Sequence, residues 1–221
     1  MINCLICHSR IREQLNMHNA FKPPEILCEK CLNLLERLKF IEEGRCTYCK
    51  GSLEHSICKN CSQKPENTNI FECITPIFHY DGIIKSLIHQ YKFMKDVALG
   101  HIFARYISVP RQNYDYIVPI PSAEDNDFER TFNPVTTILD LKKINYLKCL
   151  GMVKRPKQYQ LSQYERRISQ NPMYFKGEIN LQNKHILLID DIYTTGETAH
   201  HAARILFSKK VRKLNMLTFA R

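Results

Sequence analysis

Ile186-Leu187-Leu188-Ile189 is a short continuous apolar run. That pattern belongs to a parallel strand buried on both faces. The run stops at Asp190-Asp191, and residues 197–207 then read as helix. Upstream, apolar runs predict strands at 77–80, at 116–121, where prolines stop the run, and at 146–150. Helical spacing puts Ile84, Leu87, Ile88 and Tyr91 on one face of a helix over 83–91. Further helices are predicted at 97–107 and from Asn133-Pro134 to Lys142, with proline at an allowed first-turn position. Strands alternating with helices predict an α/β fold with a parallel sheet. Near the N-terminus, Leu32, Leu35, Leu38 and Ile41 form a stripe on a helix over 29–42, expected to pack on the rest of the molecule.

Composition refines this outline. With 221 residues and 44% hydrophobic content, the chain has ample material for a core. No apolar run approaches the length of a membrane span, and MINCLICHSR lacks a signal-peptide core. A soluble, cytoplasmic protein without membrane insertion is expected. The net charge of +10 favours phosphates or nucleic acid as partners. It is uneven: residues 1–70 contribute +2 and residues 71–221 contribute +8.

Eight of the ten cysteines fall in C-x-x-C pairs, Cys4/Cys7, Cys28/Cys31, Cys46/Cys49 and Cys58/Cys61. Each pair places two thiolates on one tight turn, half of a tetrahedral zinc site. Taken in order they make two Cys4 zinc ribbons, although the spacing does not settle which pairs join. A redox role is weaker, because no thioredoxin-like βαβ context surrounds any pair. Cys73 and Cys149 stand alone and are expected to be idle thiols, and His8 and His55 to be surface residues. Two filled sites would take residues 1–70 from +2 to −2, which argues against this module as the main nucleic-acid surface. The polar stretch 62–69 marks a boundary, giving a double zinc-ribbon module over 1–66 and an α/β domain over 67–221.

The chemistry concentrates after the apolar run. Two adjacent carboxylates at the tip of a buried strand are costly unless they face water, a metal or hydroxyls. Thr194, Thr195, Gly196 and Thr198 follow at a helix N-terminus. Such a turn can aim amides and hydroxyls at a phosphate, while the acids take Mg²⁺ or ribose hydroxyls. An ordinary capped helix needs only one of these threonines.

LLIDDIYTTGET resembles the phosphoribosyl-pyrophosphate (PRPP) loop of type I phosphoribosyltransferases. The resemblance implies a parallel sheet with ligand at the carboxyl ends of its strands. It implies that Asp190 and Asp191 hold ribose hydroxyls and that Tyr193, Thr194, Thr195, Gly196, Glu197 and Thr198 wrap the 5′-phosphate. Glu197 departs from the usual small residue. VPIP at 118–121, RTFN at 130–133, Lys154-Arg155 with Gln158, Leu161, Glu165 and Arg166, and the terminal Phe219-Ala220-Arg221 extend the likeness to nearly the whole chain. Together they resemble the ComF family, zinc-ribbon plus phosphoribosyltransferase-like proteins associated with DNA uptake in competent bacteria.

The family implies a pyrophosphate loop from Pro121 to Asn133, including Ser122 and with Arg130 as its cation. It also implies a closing loop from Arg155 to Arg167, a phosphate-reaching Lys92, and a ComFA-like helicase partner. This chain has RTFNP where the family has Arg-Gly-Phe-Asn-Gln, and Ser169 where asparagine is common. The Thr131 change stiffens the pyrophosphate loop and bears on catalysis more than on PRPP binding. Ser162-x-x-Glu165 also reads as a capping box. Residues 142–176 carry nine cations against the single acid Glu165, interleaved with aromatic rings. Lys154, Arg155, Lys157, Tyr159, Arg166 and Arg167 are therefore candidates for single-stranded DNA, a role compatible with loop closure. His200 and His201 are expected to be structural. The expected function is PRPP binding with Mg²⁺ and two structural zinc ions, in a protein that handles incoming single-stranded DNA. The alternative is phosphoribosyl transfer to an acceptor, for which the sequence offers no poised general base.

Overall fold

The computed structural model describes residues 2–11, 21, 23–56, 58–63, 70–110, 113–122, 127–128, 130–152 and 173–221. The stretch 64–69, which holds most of the expected boundary, lies outside them, as does the whole basic segment 153–172.

The N-terminal region, residues 2–63, repeats one device twice. Strands β1 (Ile2–Asn3) and β2 (Arg10–Ile11) pair antiparallel around the Cys4/Cys7 turn. Here Cys4 N donates to Ser9 O and His8 N to Cys4 O, both at 2.9 Å, and His8 has φ 57°. The Cys46/Cys49 turn copies this: Cys46 N donates to Gly51 O and Lys50 N to Cys46 O at 2.9 Å, and Lys50 has φ 57°. The second pair of each unit starts a helix. Cys28 caps α1 (Glu29–Arg37), and Cys58 immediately precedes α2 (Lys59–Gln63). The expected helix over 29–42 stops earlier because Leu38 and Lys39 leave it for the sheet. Lys39 bridges Phe78, and Phe40 N donates to Ile77 O. Leu35 is fully buried and Leu32 and Leu38 pack beside it, whereas Ile41, beyond the helix, is exposed.

The main sheet is built from β3 (Cys73–Phe78), β4 (Tyr116–Pro119), β7 (His185–Ile192) and β8 (Lys213–Ala220), all parallel, in the order β3-β8-β7-β4. Between β3 and β4 come α3 (Gly82–Phe93) and α4 (Gly100–Tyr106), and α5 (Pro134–Leu141) follows β4. β5 (Leu150–Met152) and β6 (Met173–Phe175) form a separate antiparallel pair. α6 (Glu197–Ser208) links β7 to β8. Alternate residues of β7 serve opposite layers. Leu187 and Ile189 pack with Ile84, Tyr91, Phe103 and Ile138, and Ile186 and Leu188 pack with Ala199, Ala202, Ala203 and Leu206. This three-layer arrangement is the α/β fold with a parallel sheet expected from the sequence. No helix among the described residues is long and apolar enough to cross a membrane.

Several elements differ from expectation. β3 begins at Cys73 rather than Ile77; Pro76 is tolerated because β3 is an edge strand. β8 is central, although nothing in the apolar pattern announced it: Asn215 and Thr218 interrupt it, yet both are buried. They are satisfied there. Asn215 Nδ2 donates to Tyr114 Oη at 3.2 Å, and Thr218 Oγ1 to Ala220 O at 3.1 Å. The strand expected at 146–150 is reduced to a bond from Leu147 N to Ile117 O and one from Lys176 N to Cys149 O, and regular pairing starts only at Leu150.

The cysteine clusters straddle the sheet. Cys4, Cys31 and Leu35 lie in the core formed with α3 and α4, whereas Cys46 and Cys49 lie in the core on the α6 face.

Candidate functional site

β7 does not stop at the acids. Asp190 and Asp191 are its last turns of pleat before Ile192, with Asp190 level with Thr218 and Ile192 with Ala220. The sheet therefore grips the acidic pair on its β8 side. Thr218 Oγ1 shares its proton between Ala220 O and Asp191 O, the latter at 3.2 Å, and Asp190 Oδ1 accepts from Asp191 N at 2.8 Å. Asp190 touches solvent over only part of its surface, and the dense protein around it governs its titration. Burial first, and the Asp191 charge second, hold its carboxyl well above the usual carboxylate range. A bound cation would relieve both costs.

Lys92, in the last turn of α3, meets Asp191: its Nζ lies 2.5 Å from Oδ2, with both side chains largely covered. The next residue, Phe93, is 60% exposed. Arg130 places its guanidinium carbon 5.3 Å from the centroid of that ring, and Lys92 Nζ lies 5.9 Å from it. Lys92, Arg130 and the acidic pair thus gather at one end of the sheet, although Lys92 spends its charge on Asp191.

After the strand, Thr194, Thr195, Glu197 and Thr198 are exposed. Among the described residues, no backbone carbonyl accepts from the amides of Thr194, Thr195 or Gly196. Amides without a carbonyl partner and exposed hydroxyls, of which Thr195 Oγ1 accepts from Glu197 N at 3.5 Å, precede a twelve-residue helix and are the equipment of an anion site. Tyr193 is placed differently from its neighbours. Its ring is buried, its amide donates to Ala220 O at 3.0 Å, and its hydroxyl lies 2.8 Å from His200 Nε2. Gly196 has φ 79°, and a Cβ there would fall 2.4 Å from Tyr193 Oη. Tyr193 and His200 are thus the mould on which the turn is cast, and Gly196 is the residue that fits it.

The loop after β4 has its own organiser. Asn133 caps α5, its Oδ1 accepting from Val135 N and Thr136 N. Its Nδ2 donates to Ser122 Oγ at 2.8 Å and to Asp127 Oδ2 at 2.9 Å. Ser122 Oγ also donates to Asp127, so this hydroxyl is engaged within the loop. The asparagine-proline step signalled a helix start, but not that its amide would pin the loop. These residues, with Gly151, Tyr174 and Lys176, line a cavity of about 160 Å³ beside β5 and β6. Thr131 has φ 70°, left-handed backbone that a β-branched residue resists. Glycine adopts this conformation freely. Thr131→Gly should therefore raise stability by roughly 0.5 kcal/mol despite the usual glycine entropy cost. Urea denaturation checks this; a loss of stability would show that the strain is relieved elsewhere.

The four C-x-x-C pairs join in sequence order. Cys4, Cys7, Cys28 and Cys31 form one cluster, and Cys46, Cys49, Cys58 and Cys61 the other, with all sulfurs of a cluster within 4.8 Å of one another. Sγ separations of 3.6 Å (Cys7–Cys28), 3.7 Å (Cys46–Cys61) and 3.4 Å (Cys49–Cys58) approach the roughly 3.8 Å that tetrahedral Zn–S bonds of about 2.3 Å require. Both donor sets fit zinc. Cys149 is fully buried, which pushes its thiol up to about 11, and it belongs to neither cluster. Lys154, Arg155, Lys157, Tyr159, Arg166 and Arg167 lie outside the described residues.

No protein-family model matches the chain. Competence protein ComFC of Bacillus subtilis (strain 168) is 26% identical over 230 residues, covering 99% of this chain and 94% of that protein. Competence protein ComFC of Streptococcus pneumoniae is 28% identical, covering 93% of each. The chain is similar to these ComFC proteins over nearly its full length. The ComF resemblance carried by VPIP, RTFN and the acidic turn therefore extends through both cysteine clusters. DNA utilization protein YhgH of Escherichia coli (strain K12) is 25% identical over 81% of this chain and 83% of its own length. Among solved structures, an allosteric regulatory enzyme of purine biosynthesis gives a TM-score of 0.34 at 14% identity, over 54% of this chain and 24% of that one. A hypoxanthine phosphoribosyltransferase from Staphylococcus aureus gives 0.29 at 15% identity, over 61% of each.

Proposed function

We propose that this ComFC relative binds PRPP with Mg²⁺ at the end of β7 and handles incoming single-stranded DNA during natural transformation. The observation that carries the PRPP reading is the acidic pair set directly before an open turn of amides and hydroxyls. In that reading, Asp190 and Asp191 take ribose hydroxyls and Mg²⁺. The amides and hydroxyls from Thr194 to Thr198 hold the 5′-phosphate, and Arg130 faces pyrophosphate. Lys92 would exchange Asp191 for a ligand phosphate once Mg²⁺ neutralises the acid. Calorimetry with PRPP and Mg²⁺ tests this: saturable, Mg²⁺-dependent binding is expected, and none would retire it.

The DNA role is supported by the relatives' names and by the cations of residues 142–176. A cytoplasmic protein working beside a ComFA-like helicase fits that role. Replacing Lys154, Arg155 and Lys157 by alanine should weaken single-strand binding and flatten its salt dependence by up to three counterions. An unchanged salt slope would remove this segment from the DNA surface. The cavity beside Ser122, Asn133 and Tyr174 favours one further reading, transfer of the phosphoribosyl group to an acceptor held there. Acceptor-dependent pyrophosphate release would establish it.

A further inference from the structure

The second cysteine cluster and the phosphate turn are joined by one side chain. Arg221 Nε donates to Cys49 O at 2.8 Å, and its Nη2 lies 3.8 Å from Cys49 Sγ. The other side of the guanidinium meets Tyr193, its carbon 5.3 Å from the ring centroid. Tyr193 in turn is the mould of the turn, through its 2.8 Å contact with His200 and its close approach to Gly196. The Arg221 backbone is fixed as well: its N donates to Phe78 O at 3.0 Å, and its O accepts from Tyr80 N at 2.9 Å. Gly51 leaves the space that the guanidinium fills, since a Cβ there would lie 2.7 Å from Nη2.

The charges give this contact a reason. Four thiolates and one Zn²⁺ carry a net −2, which a planar guanidinium with several donors offsets. Its face is then free to lie on an aromatic ring. Lysine offers a point charge but no plane with which to do both.

We propose that Arg221 is a positioning residue that ties the second zinc cluster to the phosphate turn, so that filling the cluster sets the turn in its ligand-binding shape. Arg221 touches neither the acidic pair nor the exposed hydroxyls, and it acts through Tyr193. The ligand side of this inference rests on the PRPP reading above; the coupling between cluster and turn does not.

The test uses the full zinc-loaded chain with Arg221→Ala and Arg221→Lys. Zinc content is measured by atomic absorption, amide exchange by mass spectrometry, and Mg²⁺–PRPP affinity by calorimetry. Both variants are expected to retain about two zinc ions per chain. Exchange at the bonded amides of Tyr193 and His200 should rise about tenfold with α1 unchanged, and PRPP affinity should fall about tenfold. Chelating zinc from the wild type should reproduce the faster exchange at these two amides. Should Arg221→Ala lose its metal, Arg221→Lys decides. Wild-type exchange at both amides in a zinc-loaded variant would overturn the proposal. A wild type that binds no PRPP would defeat the PRPP reading alone, and the exchange result would still decide the coupling.

Discussion

Asp190→Asn with Asp191→Asn is expected to lower Mg²⁺–PRPP affinity by more than a hundredfold, because both carboxylates that could offset the cation's charge become neutral amides. The single substitution Asp190→Asn should meanwhile raise the melting temperature. Asp190 is held protonated more tightly in the folded than in the unfolded chain, by burial and then by Asp191. Its folded pKa is raised, so folding binds a proton there as pH climbs past the unfolded value. Stability therefore falls as pH rises from the ordinary carboxylate range through the folded value, and the full penalty applies above it. Asparagine removes that penalty. The expected gain is roughly 1 kcal/mol at neutral pH, about 3 °C for a chain of this size, and none below about pH 4. Melting curves across pH, with and without Mg²⁺, check the sign. A variant less stable at neutral pH would mean that the carboxylate is already compensated. Asp191→Asn should not share the gain, because it strips Lys92 of its partner 2.5 Å away. A site that costs stability when empty is one shaped for a ligand.

What could be read from the sequence divides along physical lines. The acidic turn and the cysteine pairs are local patterns whose chemistry follows from spacing, and the structure assembles them at one strand end and in two clusters. The role of Tyr193 was not legible. Its position in the motif suggests ligand contact, but its ring is drawn inward by Ala220 O and His200, partners set by the packing of β8 and α6. β8 was missed for the same kind of reason. Asn215 and Thr218 look like surface residues until the neighbouring strand and Tyr114 supply their bonds. Thr131 reads as a loop residue in the sequence, and only the backbone shows its left-handed conformation. Arg221 needs two distant segments to meet before it has any role at all.

Zinc removal should have the largest effect on the molecule as a whole. The sequence predicts that chelation melts an N-terminal module first. The packing predicts that the damage spreads, because Cys4 and Cys31 share a core with Phe78, Ile84 and Tyr91, and Cys46 and Cys49 share one with Ile74, Ile186 and Met216. A structural zinc site contributes on the order of 10 kcal/mol at neutral pH, comparable to the whole stability of a typical domain. Without metal, each cluster also leaves four sulfur atoms crowded together with no ion to hold them. Disabling the first cluster with Cys4→Ser should therefore loosen α3 and α4, and disabling the second with Cys46→Ser should loosen α6 and the phosphate turn. Each should lower the melting temperature by more than about 10 °C. Atomic absorption should fall from about two zinc ions to about one in either variant, because each cluster is built from its own four cysteines. Exchange confined to residues 1–63 after chelation would show that the shared cores hold without the metal. Protection lost on opposite faces of the sheet in the two variants would show that the ribbons are built into it as the two ends of its core.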